Sequence, residues 1–541
     1  MSKYYKLIIV GMIVMQTFVM IYFCSQKSGF FMDEISTYGL SNYDYCPFIQ
    51  YDAEYRNNWH NKEYFEKYLV VAKENRFSFD SVFYNQSKDV HPPAYYCLIH
   101  MICSMFPGKF SKWYGLFLNL VVFIMCDILL YMLAKKMSND ALLPVFVILT
   151  WGSSVAAVSA VVLIRMYLLV SFFLLLWSYF METYFKQYKS GSVQRKTYGF
   201  IFLTGVIGIL TQYFVLIYLF FFSVAVCLYL LYKKDLIEII RYAATVIGSV
   251  CSSFIIFPAG LYHIFSGYRG EEAFQQIYRW NEFSKNLKLY TNYISEDLFT
   301  GKAQIIWYGI LVIFITGIFM KYIRIKDRED CAYYSGKFNF DKSIFKICCV
   351  VALIGYFGVV AQITPDKVNR YMWPIYPLLM LIFYVFLYDI LKFLYRKESL
   401  FLGIGIVLTI NTMLYLNKEK VQYLYLDASF AMQSIKENES NNCIYIYENG
   451  DWETYAQYTE LMQFQNVYIT EIEHISNIVQ ALDEIANQDQ DIIVFLPSND
   501  QKNEDTKRLQ RYLSAYKQEK LFDYGGKTAV KFYLKSEDEW N

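Results

Sequence analysis

Charge is scarce in this chain. Asp, Glu, Lys and Arg make up 18% of its 541 residues and nearly cancel, leaving a formal net charge of +1. That balance argues against a nucleic-acid partner, which requires a basic footprint. Eleven cysteines are present, but none has CxxC spacing, and most lie inside apolar runs, as Cys126, Cys227, Cys251, Cys348 and Cys349 do. Packing is therefore the expected use for them, not a disulfide scaffold. No small-residue cleavage site follows the first apolar run, Tyr5 to Phe23, so it reads as a retained signal anchor. There is no sustained repeat, no low-complexity tract, and no glycine-rich loop of the kind that cradles nucleotide phosphates. Apolar residues are what the chain has in quantity: 56% hydrophobic and 20% aromatic, with mean hydropathy +0.23. Soluble domains sit nearer 45–50% apolar, so a membrane protein is implied.

A bilayer crossing needs roughly 20 apolar residues. Runs of about that length occur at 5–24, 112–134, 141–160, 162–182, 198–211, 213–232, 236–260, 304–322, 344–361, 372–395 and 400–416, the fifth and sixth divided at Thr211-Gln212. Segment 94–106 is too short to cross and is expected as a juxtamembrane or re-entrant helix. With the N-terminus cytoplasmic, Lys135-Lys136, Lys186 to Lys196, Lys233-Lys234, Lys321 to Arg328 and Arg396-Lys397 all fall inside, as the positive-inside rule asks. Lys109 and Lys112 oppose this and are outnumbered. The expectation is a polytopic α-helical membrane protein of about eleven spans over residues 1–416, with 24–110 as its first extracytoplasmic loop.

Beyond 417 hydrophobicity drops. Strand-like runs at 443–447, 467–469, 492–496 and 530–533 alternate with helical stretches at about 452–464, 475–487 and 504–518. This alternation predicts a small extracytoplasmic α/β domain over 417–541.

The same orientation gathers the remaining polar motifs on the outer side. Asp33-Glu34 follows the first span. One reading is a solvated acidic pair at a helix end, and the other is a general base held near a low dielectric. His91-Pro92-Pro93 makes a stiff entry into the 94–106 helix, since proline fixes φ and lacks a donor. Arg165 and Arg370 stand among apolar neighbours, where an arginine either snorkels or serves a buried function. Two guanidinium groups on one face suit a lipid-linked phosphate. Asp127, toward the inner half, is assigned to helix packing.

These marks resemble the GT-C superfold of membrane glycosyltransferases. The similarity is to the branch holding protein O-mannosyltransferases, aminoarabinose transferases and bacterial glycosyltransferase family 39 (RgtA-like) proteins. It rests on Asp33-Glu34, His91-Pro92-Pro93-Ala94-Tyr95-Tyr96, Arg165-Met166-Tyr167 and Asn369-Arg370-Tyr371, and covers roughly residues 1–400. The resemblance implies inverting transfer of a sugar from a polyprenyl-phosphate donor to a polymer, lipid or protein acceptor outside the cytoplasm. Asp33 would be the base, supported by Glu34. His91, Tyr95, Arg165, Tyr167, Gln212, Tyr213, Arg370 and Tyr371 would bind substrate, the arginines neutralising the leaving phosphate. No cofactor is implied for this branch; Asp33, Glu34 and His91 are the set a divalent metal would use. Two departures stand out: Gln212 replaces a histidine common in relatives, and no arginine follows the HPP helix. Rival readings are a lipid-linked-sugar transporter, which should show paired halves or broken helices, and a non-catalytic envelope scaffold.

Overall fold

The computed structural model describes residues 3–138, 140–326, 340–395, 398–448, 450–486, 491–497 and 517–533. Among these, seven helices are long and apolar enough to cross a membrane, or up to nine if each of two bent pairs is one span. The two other expected spans are helical but shorter: Arg195–Thr211 has 17 residues, and the apolar part of the last is Ser399–Tyr415. The chain is a multi-pass membrane protein. Segment 94–106 forms a 12-residue helix, Ala94–Met105, too short to cross, as its length predicts.

The bent pairs were not legible in the sequence. Leu142–Gly152 and Val155–Val162 meet at 57°. Two local causes place the break there. Gly152 lies so close to the first helix that an added Cβ would sit 2.3 Å from Gln16 Nε2. Ser154 then caps the second helix, its side chain accepting from the Ala157 amide. The short second helix is buried throughout and delivers Leu163, Ile164 and Arg165 into the middle of the molecule.

The tail carries a mixed six-stranded sheet. Its strands are β1 (Trp59–Asn61), β2 (Asn442–Tyr447), β3 (Asn466–Glu471), β4 (Ile492–Pro497), β5 (Lys517–Tyr524) and β6 (Lys527–Tyr533), in the order β1-β3-β2-β4-β6-β5. β2 pairs in parallel with β3 and β4, and every residue of β2 and β4 is buried, as central parallel strands require. β1 comes from the first loop and pairs antiparallel with β3. Tyr55 Oη, donating to Thr454 Oγ1 at 2.7 Å, and Tyr458 Oη, donating to the Phe65 carbonyl at 3.1 Å, bind the same two regions. The expected helix at 504–518 lies outside the described residues up to 516; Lys517 and Gln518 belong to β5. The 452–464 stretch is a 3-10 turn, Asp451–Gln457, followed by a short helix, Tyr458–Leu461.

Glu460 is buried in this domain with Oε1 lacking a partner among the described residues. Burial pushes its pKa up to about 7, from an ordinary 4.5. A carboxyl raised on folding binds more protons native than unfolded, so stability is fullest below pH 4.5 and declines as pH rises through 7. The full effect is about 3 kcal/mol. Thermal unfolding followed at pH 5 and pH 8 should show a lower midpoint at pH 8, and Glu460→Gln should remove most of that difference.

Candidate active site

Asp33 is the second residue of the helix Met32–Asn42, where the helix dipole favours an anion. Its carboxylate, one-third exposed, faces a cavity of about 460 Å³ and lies 3.3 Å from Arg370 Nη2. Asp33, His91, Arg165, Tyr167, Gln212, Tyr213, Arg370 and Tyr371 all line this one cavity. They arrive from segments spread over more than 330 positions, and the arginines point inward, not into lipid.

Glu34 and Tyr95 do not reach it. Glu34 forms a fully buried pair with Lys27 at 2.9 Å. The same carboxylate accepts from the Phe31 amide at 2.7 Å, and its other oxygen from the Ile164 amide at 2.7 Å. Lys27 also donates to the Tyr423 carbonyl at 2.7 Å. Glu34 thereby ties the end of the first span, the start of Asp33's own helix and the Arg165 link into one unit. Its role is to hold the site in shape. Tyr95 donates to Asn119 Oδ1 at 3.2 Å, and its neighbour Tyr96 turns toward the site instead.

Arg165 is almost fully buried. Its Nη1 donates to Tyr96 Oη at 2.9 Å, Thr37 Oγ1 at 3.0 Å and the Asp33 carbonyl at 3.3 Å. Its Nη2 lies 3.2 Å from His91 Nε2. Arginine only donates, so Nε2 accepts, and the imidazole proton sits on Nδ1, facing Asp89 Oδ2 at 2.9 Å. Burial pushes the Asp89 pKa up, but His91 and the Arg165 charge overcome it and hold the carboxyl below its ordinary value.

Arg370 sits in a 3-10 turn, Asn369–Tyr371, ahead of the helix Tyr376–Tyr395. Buried Asp297 anchors that turn, accepting from Asn369 Nδ2 at 3.1 Å, Trp373 Nε1 at 3.2 Å and Tyr376 Oη at 3.2 Å. The guanidinium stacks over Phe31 at 4.7 Å and donates to Tyr423 Oη at 3.2 Å. Tyr423 and Tyr425 both take left-handed backbone, φ +66° and +50°, where the chain leaves the last span and crosses this site. Such outliers concentrate where surrounding structure imposes them.

Sequence reasoning missed Asp89, His263, Tyr268, Arg269 and Tyr423. The first four line the cavity, and Arg269 pairs with Asp366 at 3.1 Å. Asp89 had the signal of standing two residues before His91; His263, Tyr268 and Arg269 lie in the short helices Ala259–Phe265 and Tyr268–Ile277 and Tyr423 in a loop, none within a motif. Tyr213 Oη is 2.9 Å from His263 Nδ1, and burial lowers the His263 pKa against opposing pulls from the Ser87 carbonyl and Asp89. As for a metal, Asp33, Glu34 and His91 do not converge as a ligand set. Both Glu34 oxygens and both His91 nitrogens already have protein partners.

A second cavity adjoins the first through Leu216, which lines both. It is an apolar groove of about 820 Å³ between the helices Val215–Tyr232 and Leu236–Ile256, extending to Leu231 and Leu236.

No protein-family model matches the chain, and no curated protein matches it by sequence. A crystal structure of ArnT from Cupriavidus metallidurans bound to undecaprenyl phosphate aligns with a TM-score of 0.50 at 10% identity, covering 98% of each chain. The apo state of the same enzyme aligns at 0.44 and 11%, over 85% of this chain and 93% of that one. The first alignment establishes the fold: the GT-C-like arrangement of a polytopic bundle followed by an α/β domain extends over nearly the whole chain.

Proposed function

We propose that the chain is a glycosyltransferase that moves a sugar from a polyprenyl-phosphate donor to an acceptor on the outer face of the membrane, with inversion. The observation that carries this reading is the meeting of Asp33, Arg165 and Arg370 in one cavity at one end of the bundle. The acceptor hydroxyl attacks the anomeric carbon while its proton passes to the Asp33 carboxylate. The bond from that carbon to the phosphate oxygen breaks, and the electron pair leaves with polyprenyl phosphate, which goes from one negative charge toward two. Arg165 and Arg370 face that developing charge in a partly dry site, where fixed donors act most strongly. Arg370 exchanges its Asp33 partner for the donor phosphate, which leaves the carboxylate available as base.

The apolar groove supports the same reading, because it continues from the charged cavity along the membrane-spanning surface and suits an isoprenoid tail. So does the fold neighbour, which was crystallised with undecaprenyl phosphate. Ala243 lies within the groove lining. Burial contributes about 0.8 kcal/mol per CH₂, so displacing two such contacts with Ala243→Trp should raise KM for a long-chain donor about tenfold. A donor of two or three isoprene units should be unaffected, and steady-state kinetics with both chain lengths checks this.

Incubation of purified protein with labelled polyprenyl-phosphate sugars and a membrane extract tests the activity, through release of polyprenyl phosphate. The two bent helix pairs favour a second reading, transport of a lipid-linked sugar. Donor crossing vesicles intact, with no polyprenyl phosphate released, would establish that reading and remove this one.

A further inference from the structure

Among the described residues three arginines line the cavity, and two of them are already met by carboxylates. Arg370 lies 3.3 Å from Asp33, and Arg269 lies 2.9 Å from Glu272 and 3.1 Å from Asp366. Arg165 has no carboxylate in contact among the described residues. Its acceptors are all uncharged: Tyr96 Oη, Thr37 Oγ1 and the Asp33 carbonyl at Nη1, and His91 Nε2 at Nη2. A carboxylate in contact cancels much of a guanidinium's pull on other anions. Arg370 and Arg269 must therefore give up a partner to meet an incoming phosphate, and Arg165 need not.

The negative charge that answers Arg165 stands one ring away. Asp89 Oδ2 accepts from His91 Nδ1 at 2.9 Å, and the imidazole lies between that carboxylate and the guanidinium. Asp89 is itself well anchored. It ends the helix Phe79–Lys88, where its amide donates to the Gln86 carbonyl at 3.1 Å. Pro92 restricts the backbone of His91 but not the turn of its ring about the side-chain bonds. The two hydrogen bonds of the ring set that turn, and Asp89 supplies the charged one. A carboxylate on one imidazole nitrogen keeps the proton there, fixes the ring and makes the other nitrogen a better acceptor. Here that acceptor holds Arg165.

Resting on the glycosyltransfer reading, we infer that Arg165 is the group that first receives the donor's phosphate, and that Asp89 is a positioning residue that holds it there through His91. Arg370 joins afterwards, when the phosphate draws it from Asp33 and the second charge develops. The two arginines thereby serve different stages, Arg165 the binding of the donor and Arg370 the breaking of its bond.

The test is a titration of the purified full-length protein with polyprenyl phosphate, read as Kd, which does not depend on the fraction of protein that is folded. Asp89→Ala should weaken binding about tenfold, the scale of one hydrogen bond to a charged group. Glutamine carries an acceptor oxygen as many bonds from Cα as His91 Nε2, so His91→Gln keeps a partner for Arg165 but leaves Asp89 no ring to orient. In that background Asp89→Ala should change Kd by less than about twofold, as for groups that do not communicate. Asp89→Asn should act in the same direction with a smaller effect, and it runs the same cycle should the alanine variant not be recovered. With labelled donor, the loss should appear in KM while kcat stays within a few-fold, the reverse of Arg370→Ala. A residue that only supports the fold would weaken binding equally in both backgrounds. That result, an unchanged Kd, or a loss confined to kcat would overturn the inference and leave glycosyltransfer intact. Wild-type protein that binds no polyprenyl phosphate and releases none from any donor would instead remove the glycosyltransfer reading, and this inference with it.

Discussion

Asp33→Asn should lower kcat by about 10³-fold while donor binding changes by no more than a few-fold. General-base catalysis contributes about 10²–10⁴-fold, and asparagine keeps the shape and the contact with Arg370 while losing the ability to take a proton. The carboxylate touches Arg370 and lines the cavity but supports no packing, since Glu34 performs that task beside it. The two acids should therefore separate by phenotype. Glu34→Gln leaves Lys27 charged and buried without its counter-ion, and breaking a buried pair costs about 3–5 kcal/mol. Loss of folded protein is the expected result there, read from yield and thermal midpoint, whereas Asp33→Asn should be recovered folded and inactive. Parallel donor-binding and turnover measurements on the two variants check both halves.

Removing the Arg370 guanidinium should be nearly as damaging. Arg370→Ala should lower kcat by about 10²–10³-fold, the scale seen when one preorganised donor to a developing charge is lost. Arg370→Lys should recover part of this, because charge returns without the planar fork that a phosphate engages at two points. The loss should fall mainly on kcat, since the phosphate gains its second charge only as the bond breaks. Arg165→Ala is a less clean experiment. Arg165 also holds Tyr96, Thr37 and the Asp33 carbonyl, so its removal should reduce stability together with turnover. Steady-state kinetics beside thermal unfolding distinguishes the two arginines.

Much of this site was legible because its residues break local rules. An arginine between apolar helices and an acid just past a span are conspicuous in a chain with so little charge. What could not be read is which of two neighbours faces the cavity. Consecutive helical positions point about 100° apart, so Asp33 and Glu34 diverge, as do Tyr95 and Tyr96. The motif names all four, and only packing decides among them. Four of the six strands, β2, β3, β4 and β6, were legible as short apolar runs; β1 and β5 were not, for a different reason. β1 is three residues, Trp-His-Asn, inside a polar loop, and its partner lies some 400 positions away. β5 is Lys-Gln-Glu-Lys-Leu-Phe-Asp-Tyr, an exposed edge with almost no apolar alternation. Its one local mark is Gly525-Gly526, which takes φ of +58° and +77° in the two-residue hairpin to β6. The bend at 152–155 was hidden because apolar content runs on either side of it, and hydropathy reads length, not direction.

The account as a whole depends on where the donor's phosphate sits. A structure of the protein with polyprenyl phosphate bound measures that directly. The phosphate should lie within about 4 Å of both Arg165 and Arg370, an ion-pairing distance, beside the Asp33 carboxylate, with the isoprenoid chain leaving past Leu216 into the groove. A phosphate bound at the other end of the bundle, or one touching neither arginine, would contradict it.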